Sequence, residues 1–194
     1  MRRVAVIGDS AAAGHGLAEP DQAWARLVTR ALHRHDGRAT SLRTGGVDGA
    51  DIACVMEQQL HLVDDAEVVL INVGINDALR CYPPTRIERG FRELLVEVHR
   101  RATPGARIAL FGAPDLSVAP AMPAILRPPL TLLCRMAARI QRRVASEFGL
   151  EPIALPRQVL TPAVFGPDGF HPGPVGHRRL AAAMIERLLG EAWA

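Results

Sequence analysis

A short, unbroken apolar run close to the start of the chain limits the folds that are open to it. Residues 4–7 (VAVI) carry three β-branched side chains and no polar residue, which is typical of a strand buried on both faces of a parallel sheet. Gly8-Asp9-Ser10 ends the run. Because ligands bind beyond the carboxyl ends of the strands in open α/β sheets, Ser10 is predicted to lie where a ligand binds. It acts there either as a nucleophile or as the N-cap of the segment that follows.

Similar apolar runs recur along the chain and alternate with segments of helical periodicity. Further strands are predicted at residues 39–43, 67–73, 107–111 and, as a short fifth strand, 152–155. Helices are predicted at residues 23–33, 52–62, 86–101, 130–148 and from 175 to about 189. Strands that alternate with helices favour a parallel sheet covered on both faces. With no internal repeat and no linker, residues 1–194 are predicted to form one domain.

The composition excludes several classes of partner. The net charge is +3 and all 23 basic residues are arginine; they are scattered among acids without interleaved aromatic residues, so nucleic-acid binding is not expected. Cys54, Cys81 and Cys134 are too widely spaced for a disulfide framework or a metal site. No signal peptide is predicted, and no apolar stretch in the sequence is long enough to span a membrane. A cytoplasmic protein without stable membrane insertion is therefore predicted.

Three further blocks of the sequence carry groups that are able to take part in catalysis. In Asp168-Gly169-Phe170-His171, a carboxylate three residues before a histidine can bond one ring nitrogen and leave the other for a nucleophile; a surface turn is the alternative. Asn76, after the strand at 67–73, offers an amide donor for an oxyanion, or caps a turn. Gly49 offers an unobstructed backbone N–H, or belongs to an ordinary glycine-rich turn.

Together these residues resemble the SGNH, or GDSL-type, esterase and lipase superfamily. The resemblance rests on four ordered blocks, which are the GDS motif around Ser10, the glycine block at Gly49, GIND around Asn76 and DGFH ending at His171. It implies a flavodoxin-like three-layer α/β/α sandwich of about five strands. It also implies Ser10 as nucleophile, His171 as base, Asp168 as its orienting partner, and an oxyanion hole formed by Ser10, Gly49 and Asn76. No metal or cofactor is expected.

The sequence departs from the family pattern at two positions. Ala11 stands where many relatives carry leucine after the serine, and Thr44 stands where many carry asparagine before the glycine block. Neither position supplies a catalytic group, so the expected chemistry is unaffected. Asp9 is interpreted as structural, bonding the backbone of its own turn.

The resemblance predicts a serine hydrolase that cleaves esters or thioesters of small to medium acyl chains through an acyl-enzyme on Ser10. An alternative is an O-acyltransferase that passes the acyl group to a sugar, glycolipid or secondary metabolite. A catalytically silent binding module is the alternative from another class. The candidate substrate-binding residues, for which core packing is the competing interpretation, are Asp115, Leu116, Val164, Phe165 and Phe170.

Other polar residues are given simpler interpretations. His177 has no third partner for a metal site with His171. The remaining histidines are predicted to lie on the surface; they are His15, His33, His35, His61 and His99. A positive stripe on the helix at 130–148 is interpreted as a solvated face rather than a site for a phosphate or a coenzyme A tail; it consists of Arg135, Arg139, Arg142 and Arg143.

Overall fold

The computed structural model describes residues 1–190, and within them the chain forms one parallel sheet of four strands. The strands are β1 (Arg2–Gly8), β2 (Thr40–Thr44), β3 (Val68–Asn72) and β4 (Arg107–Leu110), in the order β2-β1-β3-β4. All three neighbouring pairs are parallel. The parallel sheet predicted from the sequence is confirmed. Residues 191–194 of the predicted domain lie outside the described residues.

Helices cover both faces of the sheet. They are α1 (Ser10–Ala13), α2 (Trp24–Asp36), α3 (Ile52–Gln58), α4 (Ile75–Leu79), α5 (Pro84–Arg101), α6 (Arg127–Ser146) and α7 (Pro174–Leu189). Successive residues of β1 point to opposite sides: Ala5 and Ile7 pack in a core with α3, α5 and α6, whereas Val4 and Val6 pack with α2 and α7. The predicted three-layer α/β/α sandwich is therefore confirmed.

The predicted fifth strand is reduced to a single bridge. Ile153 pairs with Phe111: its N–H donates to Leu110 O at 2.8 Å, and its carbonyl accepts from Gly112 N at 2.9 Å. Pro152 and Pro156 flank the segment, and proline cannot donate to a sheet ladder. This is the physical reason why the sheet has four strands here rather than about five.

Two of the predicted helices differ from the structure in ways that have a clear outcome for the chain. The helix α6 begins at Arg127 and not at residue 130, because Pro128 and Pro129 fall in its first turn, where a backbone N–H has no intrahelical acceptor in any case. The segment predicted as one helix at 52–62 divides into α3 and a 3₁₀ turn, Leu60–Val63.

The order of the strands determines where a ligand can bind. The chain leaves β1 towards β2 on one side and then crosses to β3 on the other, so the carboxyl ends of β1 and β3 flank a topological switch point. Gly8 ends β1 at φ 156°, and a Cβ there would lie 2.1 Å from Asn72 O. The chain therefore needs glycine at this point to pass close to β3. No helix within residues 1–190 is both long and apolar enough to cross a membrane.

Candidate active site

Ser10 lies in the first turn of α1, directly after β1. The Asp9 carboxylate caps this turn, because its Oδ1 accepts from Ala11 N at 3.1 Å and from Asn72 Nδ2 at 2.7 Å. The Ser10 N–H is in the first helical turn, where no intrahelical acceptor exists. The Ser10 hydroxyl makes no hydrogen bond to any described residue. Both groups of Ser10 are therefore available to a ligand.

Asp9 is buried next to Ser10, and its hydrogen bonds hold the local backbone in place. Burial raises the pKa of Asp9 to about 7, although the Ala11 N–H and the Asn72 amide favour the charged form. Because its Oδ1 accepts both of these hydrogen bonds, the Asp9 side chain holds the turn that carries Ser10.

Asp168 and His171 form a closed turn with a short hydrogen bond between their side chains. His171 Nδ1 lies 2.6 Å from Asp168 Oδ2, while Asp168 Oδ1 accepts from the backbone N–H groups of Phe170 and His171 at 2.9 and 3.0 Å. Burial alone would raise the pKa of Asp168, but these donors and the His171 ring outweigh it and lower the pKa to about 2. The carboxylate is therefore ionised and fixes the proton of His171 on Nδ1, which leaves Nε2 as an acceptor.

Two residues that the sequence did not single out lie against His171. The His15 ring is tilted over it with the ring centroids 4.1 Å apart. The Asp48 carboxylate is near a nitrogen of each ring, with Oδ1 3.8 Å from His171 Nε2 and Oδ2 3.6 Å from His15 Nδ1. His15 is exposed, as predicted, but it is not isolated from the site. The glycine-rich loops around both residues gave no periodic signal that predicts these contacts.

Four hydrogen bonds connect residues 49–52 with α4 and with Arg80, which follows it. Asn76 Nδ2 donates to Ala50 O at 2.9 Å, and the Asp77 carboxylate accepts from Ile52 N at 3.1 Å. Arg80 donates to the Asp51 carboxylate at 2.5 Å and to Gly49 O at 3.0 Å. An amide group has two N–H donors, so Asn76 keeps one for a ligand. Gly49 has a φ of 69°, and a Cβ at this position would meet no atom within 4 Å.

These residues meet at one cavity of about 300 Å³. Its polar end contains Ser10, Asp48, Gly49, Asn76 and His171. The rest of the lining is mainly apolar and includes Leu116, Leu155, Val159, Leu160, Val164, Phe165, Phe170 and Leu180. Four of the five candidate substrate-binding residues therefore face the cavity, and they are Leu116, Val164, Phe165 and Phe170.

Asp115 is the exception among these candidates. Its carboxylate accepts from Ser117 N at 3.1 Å and Ser117 Oγ at 2.5 Å, and it lies 3.5 Å from the Arg157 guanidinium. The side chain is thus used to cap a 3₁₀ turn, Leu116–Val118, and is not part of the cavity lining.

Among residues 1–190, His15, Asp168 and His171 have ligand atoms within 4.8 Å of one another, close enough together to hold a metal ion. Ligand atoms around a tetrahedral zinc ion, with bonds of about 2.0–2.1 Å, are roughly 3.3 Å apart. The 2.6 Å contact between Asp168 and His171 is shorter than this. In its present geometry the pair is a hydrogen bond and not a metal-ligand set.

The sheet order and the placement of Ser10 and Asn76 after adjacent strands define the class of doubly wound α/β proteins with a site at the switch point. Comparison with known proteins then identifies the family. A sequence profile of the GDSL-like lipase/acylhydrolase family matches residues 6–179, and the chain belongs to this family.

The individual relatives share less than a third of their residues with this chain in the aligned regions. A GDSL-like esterase of Mycobacterium tuberculosis is 27% identical over 198 residues, which cover 96% of this chain and 61% of that protein; the chain thus spans about three fifths of its length. An arylesterase of Vibrio mimicus is 28% identical over 95 residues, covering 48% of this chain and 46% of that protein.

Solved structures show the same fold at low sequence identity. The lipase/acylhydrolase of Enterococcus faecalis superposes with a TM-score of 0.73 at 22% identity and covers 100% of this chain and 98% of its own. The psychrotrophic esterase EstA of a Pseudoalteromonas species superposes with a TM-score of 0.73 at 16% identity, covering 98% and 100%.

Proposed function

We propose that the protein hydrolyses carboxylic esters or thioesters of small to medium acyl chains through an acyl-enzyme on Ser10. The observation that carries the proposal is the 2.6 Å hydrogen bond between Asp168 and His171 at the cavity that also contains Ser10, Gly49 and Asn76. The family to which the chain belongs and the esterases among its relatives support the same reaction.

The proposed reaction follows from the donors and acceptors at the polar end of the cavity. His171 Nε2 takes the proton of Ser10 as Oγ forms a bond to the acyl carbonyl carbon. The resulting oxyanion accepts from the N–H groups of Ser10 and Gly49 and from the Asn76 amide. His171 then returns the proton to the leaving alcohol or thiol, and water releases the acid from Ser10 in a second cycle. The hydrogen bond between a nucleophile and its base often becomes short only when substrate is bound.

The size of the cavity limits the acyl group. A volume of about 300 Å³ is at the lower end of the range for small-molecule sites, roughly 300–1,000 Å³. The apolar lining accommodates the acyl chain and removes it from water. We therefore expect chains of short to intermediate length to be cleaved faster than palmitoyl esters.

The experiment that tests the proposal is a series of p-nitrophenyl esters from acetyl to palmitoyl, assayed with the wild-type protein and with Ser10→Ala. We expect serine-dependent release with an optimum at short to intermediate chain length, and a loss in Ser10→Ala on the order of 10³-fold or more. Thr29→Ala is a matched control, because the Thr29 hydroxyl donates to a helix carbonyl, Ala25 O, outside the cavity.

Labelling of Ser10 by a fluorophosphonate separates two ways in which this assay can fail. If the probe labels Ser10 but the esters turn over negligibly, the O-acyltransferase is favoured over the hydrolase. Retention of wild-type turnover in Ser10→Ala contradicts the mechanism as a whole.

A further inference from the structure

The most unusual surface outside the active site begins at the end of α6 that is nearest to it. Three of the six large apolar side chains exposed in the described chain lie within eight residues, and they are Ile125 (83% exposed), Leu126 (49%) and Leu132 (68%). Pro123 and Ala124, which precede them, and Pro128 and Pro129, which lie between Leu126 and Leu132, are exposed as well. A contiguous apolar surface of this kind marks an interaction site more often than isolated apolar residues do.

The surface continues along α6 as a basic stripe. Arg135, Arg139 and Arg142 follow Leu132 at helical spacing and so extend the same exposed face. No acidic residue occurs from 116 to 146. Unlike Arg143, which pairs with Glu88, these three arginines have no ion-pair partner among residues 1–190. The α6 face is defined here as Ile125, Leu126, Leu132, Arg135, Arg139 and Arg142.

The apolar end of this face is physically joined to the active site. Ala121 N donates to Gly169 O at 3.0 Å, which ties the segment before α6 to the turn that carries Asp168 and His171. Thr131 Oγ1 donates to Ser117 Oγ at 2.8 Å, next to Leu116 in the cavity lining. A partner that binds the apolar end of the α6 face would therefore lie beside the cavity.

We propose that the α6 face docks peripherally on an anionic lipid surface. Exposed aliphatic side chains enter the headgroup region and arginines attract anionic lipids, which is the pattern of interfacial amphipathic helices. A second copy of the chain fits less well, because two such faces would bring their unpaired arginines together. Nucleic acid fits less well too, since the face has no aromatic residue on which bases could stack. Docking presents the cavity to acyl esters held in a bilayer, a consequence that rests on the proposed function.

The test is vesicle binding by full-length Ser10→Ala, which binds lipid without turning it over. Phosphatidylcholine vesicles containing about one third phosphatidylglycerol are compared with pure phosphatidylcholine in a flotation assay. Each arginine near an anionic surface strengthens binding about fivefold, so Arg135→Gln/Arg139→Gln should weaken binding to the anionic vesicles about 25-fold. The control, Arg34→Gln/Arg178→Gln, removes the same charge from exposed positions on other helices and should bind like the parent.

A second pair of variants tests the apolar end. Ile125→Ser/Leu132→Ser should weaken binding about tenfold or more, whereas Val96→Ser, an apolar residue 49% exposed on α5, should not. In the catalytically intact background, each variant should hydrolyse a short soluble ester at the parent rate. This assay therefore separates failure of docking from failure of the esterase proposal.

Three results overturn the docking proposal. They are equal binding to neutral and anionic vesicles, equal weakening by the α6 and control variants, and absence of vesicle binding. In the last case, a change in sedimentation velocity with Ile125→Ser/Leu132→Ser would assign the face to self-association instead.

Discussion

At the scale of single residues, Asp168 has two roles that one substitution can separate. Its Oδ1 accepts two backbone N–H groups and shapes the turn, while Oδ2 accepts from the His171 ring. Asp168→Asn retains an oxygen for the backbone but places an amide opposite Nδ1, which disfavours the productive tautomer. We expect kcat for a p-nitrophenyl ester to fall on the order of 10³–10⁴-fold, far more than the accompanying decrease in melting temperature accounts for, because Asn also loses the charge that the turn stabilises.

Asp21→Asn is the control for this substitution, because Asp21 is exposed and lies outside the cavity lining. It should leave kcat unchanged. If kcat of Asp168→Asn instead falls only in proportion to the unfolded fraction, the carboxylate has a purely structural role.

Which residues of the site could be predicted depends on how local their signals are. Ser10 and Asn76 follow apolar strands, and Asp168 and His171 occupy one turn, so each has a signature in a few consecutive letters. His15 and Asp48 contact His171 from loops that are distant in the sequence, and no local pattern encodes such a contact.

At the scale of elements, His177 joins α7 to the start of α2. It is fully buried, and its Nδ1 accepts from Trp24 N at 3.2 Å, where the N-cap residue Ala23 supplies no side-chain acceptor. Nε2 has no hydrogen-bond partner among the described residues. Burial lowers the pKa of His177 to about 4, while a backbone interaction with His15 acts in the opposite direction. The ring therefore caps α2 in its neutral form.

Two substitutions test this cap. His177→Ala leaves a cavity and an unpaired Trp24 N–H, and should lower the free energy of unfolding by about 2–4 kcal/mol. His177→Asn places an amide oxygen near the position of Nδ1 and should lower it by less. Because the pKa is lower in the folded state than in the unfolded chain, the wild type loses stability as the pH falls from about 6.5 to 4.

Urea denaturation at neutral and acid pH measures both effects. The two variants lack the titrating ring, so their loss of stability relative to wild type should shrink as the pH falls through this window. A loss that is the same at every pH contradicts the neutral, buried state of His177.

The elements themselves were predictable to the extent that their patterns are regular. The apolar runs at β1, β3 and β4 and the periodic segments at α2, α5 and α7 coincide with the structure to within a few residues. The segment at 152–155 was predicted from hydropathy, but strand formation also needs backbone donors, which its prolines lack. Hydropathy alone does not contain this information.

At the scale of the whole molecule, buried carboxyl groups give stability an unusual dependence on pH. Burial raises the pKa of Asp9 to about 7 and that of Asp77 to about 6, so the folded protein holds protons that the unfolded chain releases. Stability from these groups is complete below about pH 4 and is lost as the pH rises through those values. His177 acts in the opposite sense below pH 6.5.

Asp9→Asn should remove one of the two contributions to stability that are lost as the pH rises. Its amide oxygen can still accept from Ala11 N and Asn72 Nδ2. Between pH 5 and 6 the wild-type free energy of unfolding should fall by about 1.4 kcal/mol per pH unit, one net proton. In the variant, the opposite pH-dependent contributions of Asp77 and His177 to stability nearly cancel. The free energy of unfolding should therefore stay nearly constant between pH 5 and 6. Chemical denaturation at three pH values distinguishes these outcomes; parallel profiles contradict the assignment to Asp9.

The close backbone contacts at Gly8 and Gly46 have a consequence for how this protein can diversify. A Cβ at Gly8 would lie 2.1 Å from Asn72 O, and one at Gly46 would lie 2.1 Å from Ala13 N, so the main chain on both sides of Ser10 is packed too closely to accept a side chain at either glycine. The apolar lining of the cavity is different, because it includes aliphatic side chains on short 3₁₀ turns, such as Leu116 and Val164. A mutant library confined to these turns therefore varies the lining of the cavity while the backbone that carries Ser10 stays unchanged.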